Sequence, residues 1–326
     1  MTSSAPAIPR VSTAGFVLSA LATVGAGIGM AVQGTANGAL GGVLGHGLFA
    51  ATVSFLVGLA ILVVITLVAP SARSGAVRAW RLVRTGEFPW WMTLGGLAGA
   101  AVVVSQAFTI PLMGVAVFTM AYIAGQLAGA LVVDSTALPP GGRKPPTRWR
   151  IIGTLVVLVG VSLSAVGVLS QGIPLWAPIL PIVAGVLTAF QQAFNGRLRM
   201  RAGSAIAANL MNFLTGSAFL VLCSIGLLVA GVRVAALPDL PADSWMLLGG
   251  ALGAVFIGVT TVTVARLGVL LLSLMSLFGN LLGSLVIDLT FHSAHAEVNA
   301  MTFVSIAVVL AGVAITSLPQ RVEARA

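Results

Sequence analysis

Two glutamine–asparagine pairs are the residues of this chain best suited to hold a ligand. Gln33 and Asn37 stand one helical turn apart and so share a face, and Gln191 with Asn195 repeats the arrangement. A carboxamide donates and accepts hydrogen bonds at once, which suits a neutral or zwitterionic solute. It equally suits the hydrogen bonding that fastens one buried helix to another. Gln106, Gln126 and Asn280 place three more amides inside apolar stretches, and Tyr122, the single tyrosine, adds a hydroxyl that needs a partner once buried. These eight are the candidate substrate-binding residues. Gln126 and Asn280 are flanked by Gly125/Gly129 and Gly279/Gly283, a spacing of small residues that lets helices touch, so packing is favoured over solute contact there. Asn209 and Asn212 rank behind them, because Ala51 and Ser54 stand at the corresponding places of the repeat described below.

Other chemistries fare less well. Asp134 and Asp288 stand at the ends of apolar segments, where an acid opposes the helix dipole; Asp134 is expected to pair with Arg148 or Arg150. With no acid deep inside a segment, proton antiport through a titrating carboxylate is disfavoured. Asp288, His292, His295 and Glu297 have spacings that would align metal ligands if a helix continued through them, but the first copy of that loop has no such residues, and no metal is expected. No cofactor of any other kind is expected. Cys223, alone, permits no intrachain disulfide and reads as a small apolar residue, and His46 has no assigned role. The chain has no His-Glu-x-x-His, no Gly-x-Gly-x-x-Gly, no P-loop and no Ser/Cys–His dyad, so it is not expected to be an enzyme.

The elements that must carry these side chains follow from composition. Of 326 residues, 58% are hydrophobic and 7% charged, with a mean hydropathy of +1.10. A water-soluble domain cannot hide that much apolar surface, so the chain belongs in a bilayer. Spanning it takes roughly 20 apolar residues as helix, and ten windows qualify: 14–36, 47–69, 90–110, 112–133, 151–170, 175–196, 204–231, 245–264, 267–288 and 301–318. They are continuous apolar runs without the alternation of a membrane barrel strand, which makes them helices. The first follows Arg10 but is longer than the apolar stretch of a signal peptide, and reads as a retained span.

The ten windows are five written twice. Gln33-Gly-Thr-Ala-Asn37-Gly38-Ala-Leu40 returns as Gln191-Gln-Ala-Phe-Asn195-Gly196-Arg-Leu198, and Ser54-Phe-Leu-Val-Gly58 as Asn212-Phe-Leu-Thr-Gly216, a shift of 158 (195 − 37). Trp91…Gly95-Gly96 matches Trp245…Gly249-Gly250, and Gly125…Asp134 matches Gly279…Asp288, a shift of 154 (288 − 134) after a loop deletion. Residues 1–172 thus form one five-helix repeat and 173–326 the second. An odd number of spans per copy turns the second copy over in the membrane. Loop charges agree: 70–89 carries four arginines where its duplicate 232–244 carries Arg233 against Asp239 and Asp243, and the uncharged 41–46 corresponds to Arg197-Leu-Arg199-Met-Arg201. With both termini in the cytoplasm, every Lys and Arg except Arg233 falls on the inner side. That rim of basic residues against anionic headgroups accounts for the net charge of +9 without a nucleic acid partner. The two amide pairs are expected to meet on the pseudo-two-fold axis at mid-bilayer.

The Gln-x-x-x-Asn-Gly-x-Leu first helix, the Ser-Phe-Leu-Val-Gly second helix, the Gly-Gln-Leu…Asp fourth helix and the Arg150…Gly153…Gly160-Val161 fifth helix resemble the YdcZ-type branch of the drug/metabolite transporter superfamily over nearly the whole chain. The resemblance implies an all-α membrane protein of ten transmembrane helices, built as two inverted five-helix repeats of the EamA-like kind, here fused in one polypeptide. It implies a multi-pass transporter of a small metabolite or drug-like solute in a bacterial inner membrane, exporting or exchanging by alternating access. A non-transporting scaffold or chaperone and a passive channel are the alternatives; short loops argue against the first, scattered amides against the second. The Val/Gly-rich fifth and tenth helices are candidate faces for a homodimer.

Overall fold

The computed structural model describes residues 13–139, 143, 147–170, 172–290, 300–316 and 318. Every long element among them is an α-helix: α1 (Thr13–Leu44), α2 (Gly47–Val68), α3 (Pro70–Arg84), α4 (Gly95–Asp134), α5 (Arg148–Ser170), α6 (Trp176–Ala202), α7 (Ala205–Val229), α8 (Leu248–Thr290) and α9 (Ala300–Thr316), with short 3-10 turns at Trp90–Leu94 and Ser244–Leu247 leading into α4 and α8. Among the described residues five stretches are long and apolar enough to cross a membrane, at 14–44, 47–68, 90–134, 176–202 and 205–229, and shorter apolar helices occupy 244–260, 275–290 and 300–316.

Local chemistry sets the boundaries. His46 caps α2, its Nδ1 accepting from the Leu48 amide at 3.2 Å, so the histidine without an assigned role has a structural one. Pro70 opens α3 one residue after α2 ends at a position whose missing N–H costs nothing. Between α6 and α7 the chain reverses on Gly203, left-handed at φ 68°, followed by Ser204, whose hydroxyl accepts from Ala207 N–H. The helix α3 departs from the sequence expectation, which treated 70–89 as a loop. Its small residues Ala72, Gly75 and Ala79 recur every three or four positions and are buried against the start of α7, leaving the arginines outside.

Straight helices of 40 and 43 residues would run roughly 60 Å, twice the hydrocarbon thickness, yet α4 and α8 do not extend that far. Gly125 and Gly129 of α4 abut Ile182 and Val186, while Gly95 and Gly99 abut Asn195 and Gln191, so both ends of α4 lie on one stretch of α6. The backbone turns back at Gly114, whose φ 78° and ψ 167° leave the helical region, close to the break expected at 111. In the same way Leu252 and Gly249 of α8 meet Gly29 and Asn37 of α1, while Gly279 and Ser276 meet Val24 and Gly27. Thr263 meets Thr23 through their hydroxyls at 3.0 Å, so α8 reverses between Thr263 and Ser276.

These contacts are reciprocal. A Cβ on Gly185 would overlap the Tyr122 carbonyl oxygen, and one on its duplicate Gly27 would overlap the carbonyl oxygen of Ser276, the duplicate of Tyr122. Gly125 against Ile182 is matched by Gly279 against Val24, and Gly96 against Asn212 by Gly250 against Ser54. Each copy's first helix is therefore embraced by the other copy's hairpin. α2 crosses α7, where Thr52 and Ser224 hydroxyls lie 2.7 Å apart, and α5 crosses α9 with Gly153 on Gly312. The glycine faces of the fifth and last helices, read as dimer surfaces, thus meet each other inside the chain. Small residues do this because lipid tails are as apolar as leucine, so helices gain by close van der Waals contact and not by escaping water.

Candidate functional site

The eight candidate residues separate into groups. Asn37 is fully buried and its amide Nδ2 donates to Gln106 Oε1 at 2.7 Å. Asn37 Oδ1 faces Gly249 beside the Ser54 hydroxyl, and Gln33 lies over Gly253, one turn along α8. In the second copy Gln191 Nε2 and Asn195 Nδ2 both donate to Asn212 Oδ1, at 2.9 and 3.2 Å, over Gly95 and Gly99 of α4. The amide pairs therefore do not meet. Gly95 marks one cluster and Gln106 the other, eleven residues apart on the same helix, or roughly 16 Å. A two-fold axis carries any residue that lies off it to the far side, and both pairs lie off it. Asn212, ranked behind the others, is the acceptor on which the second cluster converges.

Gln106 also borders a cavity of about 10 Å³ between α1, α4 and α8, with Thr119, Tyr122 and Asn280 in its wall beside Met30, Gly34 and Phe118. That is about the volume of one water-sized sphere. No charged side chain lines it. Tyr122 stacks on Phe118, with centroids 6.2 Å apart and planes 7° from parallel, and its hydroxyl lies near the Thr188 side chain. The carboxamide oxygens of Gln33, Asn37 and Asn280 are buried with no hydrogen-bond partner among the described residues. A buried acceptor left unmatched is costly, so these three are open to a donor from outside the chain. Gln126 stands apart: it is half-buried and its backbone packs on Gly185, in keeping with a packing role. Trp90 and Trp91 are exposed at the head of α4, as interfacial tryptophans are.

The duplicate carboxylates differ. Asp134 forms an ion pair with Arg150 at 2.5 Å, both groups partly exposed. Asp288 is 3% exposed, and its two oxygens accept from the Val115 and Ala116 amides at 3.1 and 2.7 Å. It caps the half of α4 that begins after the Gly114 reversal, where free N–H groups and the helix dipole attract a negative charge. Asp288 is thus engaged with backbone; His292, His295 and Glu297 lie outside the described residues. Among the described residues no cluster of metal ligands occurs. Cys223 is free and half-buried.

Comparison with known proteins agrees with this duplicated architecture. Two curated relatives align with about a third of the chain each: UPF0060 membrane protein CMS0846 of Clavibacter sepedonicus, 33% identical over 113 residues, covering 34% of this chain and 94% of its own length, and a UPF0060 membrane protein of Arthrobacter sp. (strain FB24), 35% identical over 101 residues, covering 29% and 81%. A solved structure, "Crystal structure of protein", shares the fold with a TM-score of 0.57 at 18% identity, over 95% of this chain and 100% of that one. A family model matches residues 18–163 and 176–315, one repeat and then the other, and the chain belongs to the family it describes, "Putative inner membrane exporter, YdcZ".

Proposed function

We propose that the chain is a ten-span transporter whose two five-helix halves, 1–172 and 173–326, sit upside down relative to each other and rock about a polar centre. In this reading it carries a small neutral or zwitterionic solute out across the inner membrane, with both termini in the cytoplasm. The observation that carries it is the exchange of contacts between duplicates: α1 within the α8 hairpin and α6 within the α4 hairpin, joined by glycines at matching positions. Counting each hairpin as two crossings gives ten, five per copy, and an odd count inverts the second. A cavity of about 10 Å³ is far below the roughly 300 Å³ at which ligand sites begin, so this conformation is closed at the centre and a solute enters only after the halves shift. A closed centre also weighs against a standing channel. Gln33, Asn37, Gln106 and Asn280 supply acceptors and donors from one side, and Gln191, Asn195 and Asn212 from the other.

The test is uptake and efflux in proteoliposomes across amino acids, purine metabolites, sugars and organic cations, with Asn37→Ala and Asn195→Ala beside the parent. Movement of one solute class by the parent, slowed at least about tenfold in both variants, supports the site, since a lost transition-state contact of ~1.4 kcal/mol has that effect. Parental rates in both variants would remove the amide clusters from the solute path.

A further inference from the structure

We infer that α3 carries a binding site for the phosphate of an anionic phospholipid headgroup. One face of this helix, Ala72, Gly75 and Ala79, is buried, with Gly75 set against Ser204 at the head of α7. The opposite face presents Arg73, Val77, Trp80, Arg81 and Arg84 with nothing packed over it; Val77 is 55% and Trp80 62% exposed. Arg73, Ser74, Val77, Arg78 and Arg81 border an open groove of about 400 Å³. Cations beside large exposed apolar groups are the pattern of a helix lying in the headgroup layer, with guanidinium groups on phosphate and aromatic and aliphatic groups among the upper acyl carbons.

The charge on this face is uncompensated. Among the described residues Arg150 pairs with Asp134, and none of the four α3 arginines has a carboxylate partner. Arg73 turns back to donate to the Leu67 carbonyl at 2.7 Å, which fixes one wall of the groove, while Arg78, its guanidinium beside Gly203, and Arg81 border it with exposed side chains able to grip a planar oxyanion bidentately. The shared scaffold does not require this feature. The duplicate segment between α7 and α8 forms no comparable helix, and there Asp243 is spent on the backbone amide of Asp239 at 2.9 Å. The arginine helix belongs to one copy alone, on one side of the membrane. α3 joins α2 to α4 and rests on α7 through Gly75.

The experiment is native mass spectrometry of the full chain from detergent containing equal phosphatidylglycerol and phosphatidylcholine. The parent is expected to retain phosphatidylglycerol in preference, Arg78→Gln/Arg81→Gln to lower that retention about tenfold, and the charge-matched Arg143→Gln/Arg148→Gln to leave it unchanged. Equal losses in the two double variants, or no preference in the parent, would overturn the site. So would displacement of the lipid by millimolar inorganic phosphate alone, which would mark a free-anion site. Should the Gln pair fail to fold, quenching decides: brominated phosphatidylglycerol must quench the fluorescence that Trp80→Phe removes, and brominated phosphatidylcholine must not.

Discussion

Phe55 lies against Phe213, its own duplicate, with ring centroids 5.0 Å apart and planes tilted by 33°. Duplicates can touch each other only close to the axis that relates them, so this pair marks where the two copies turn about one another. Its surroundings repeat the exchange: a Cβ on Gly58 would strike Phe213, and one on Gly216 would strike Phe55. Phe55 also lies beside the second amide cluster, where Gly99 meets Phe55, Gln191 and Asn212 together.

If glycine contact holds the halves together, duplicate substitutions should cost alike. Gly27→Ala and Gly185→Ala would each drive a methyl into a facing backbone carbonyl, and each is expected to destabilise by about 1–3 kcal/mol. Gly25→Ala and Gly226→Ala, which meet nothing within 4 Å, should be neutral or slightly stabilising. Thermal unfolding in one detergent compares all four; a large cost at Gly25 or a negligible one at Gly27 would contradict the packing.

Much of this packing is legible in the sequence because the same glycines were needed twice. Gly27/Gly185, Gly58/Gly216 and Gly125/Gly279 all occupy crossings, and apolar runs of spanning length place the helices around them. An acid at a helix end called for Arg148 or Arg150 beside Asp134, and Arg150 is the one that pairs with it. The helix α3 escaped a reading by hydropathy because its arginines lower the mean of any window, although Ala72, Gly75 and Ala79 kept helical spacing beneath them. Asn212 escaped because its counterpart is Ser54: the first copy draws Asn37's partner from α4 as Gln106, the second draws Asn195's from α7. Repeat logic finds what two copies share, and here they differ.

Asp288 acts as a latch on α4. Hydrogen bonds to a charged acceptor contribute about 1.5–3 kcal/mol each, and Asp288 accepts two from the amides that follow Gly114. Asp288→Ala should free that helix start, whereas Asp288→Asn keeps one acceptor and part of the hold. In a Cys223→Ala background, Val115→Cys, at a position 2% exposed, is expected to resist maleimide in the parent and to react in the Asp288→Ala protein. Continued protection would show that packing alone closes this end.

If the halves are opposed in orientation, as proposed, α3 and the segment before α8 lie on different sides of the membrane. Ser74 and Asp239 are both exposed, and unlike Gly75 neither is committed to packing. With Cys223 replaced, Ser74→Cys should react with an impermeant maleimide only in inverted vesicles and Asp239→Cys only in whole cells. Reaction of both from one side would defeat the inverted arrangement.

Asn212 decides whether the second amide cluster is structural or functional. Its Oδ1 takes two hydrogen bonds, from Gln191 and Asn195, and polar contacts within membranes average ~0.6 kcal/mol apiece, so Asn212→Leu is expected to cost about 1 kcal/mol of stability. Asn212→Asp keeps the acceptor and adds a charge; Asn212→Ser installs the residue of the first copy. If the cluster only ties α6 to α7, transport in the variants should follow their thermal stability, with Asn212→Ser near the parent. If it reads the solute, Asn212→Asp should alter the preference between neutral and cationic substrates at matched stability, because a carboxylate beside two amide donors attracts cations that the carboxamide ignores. Unchanged preference in Asn212→Asp would assign this amide to structure.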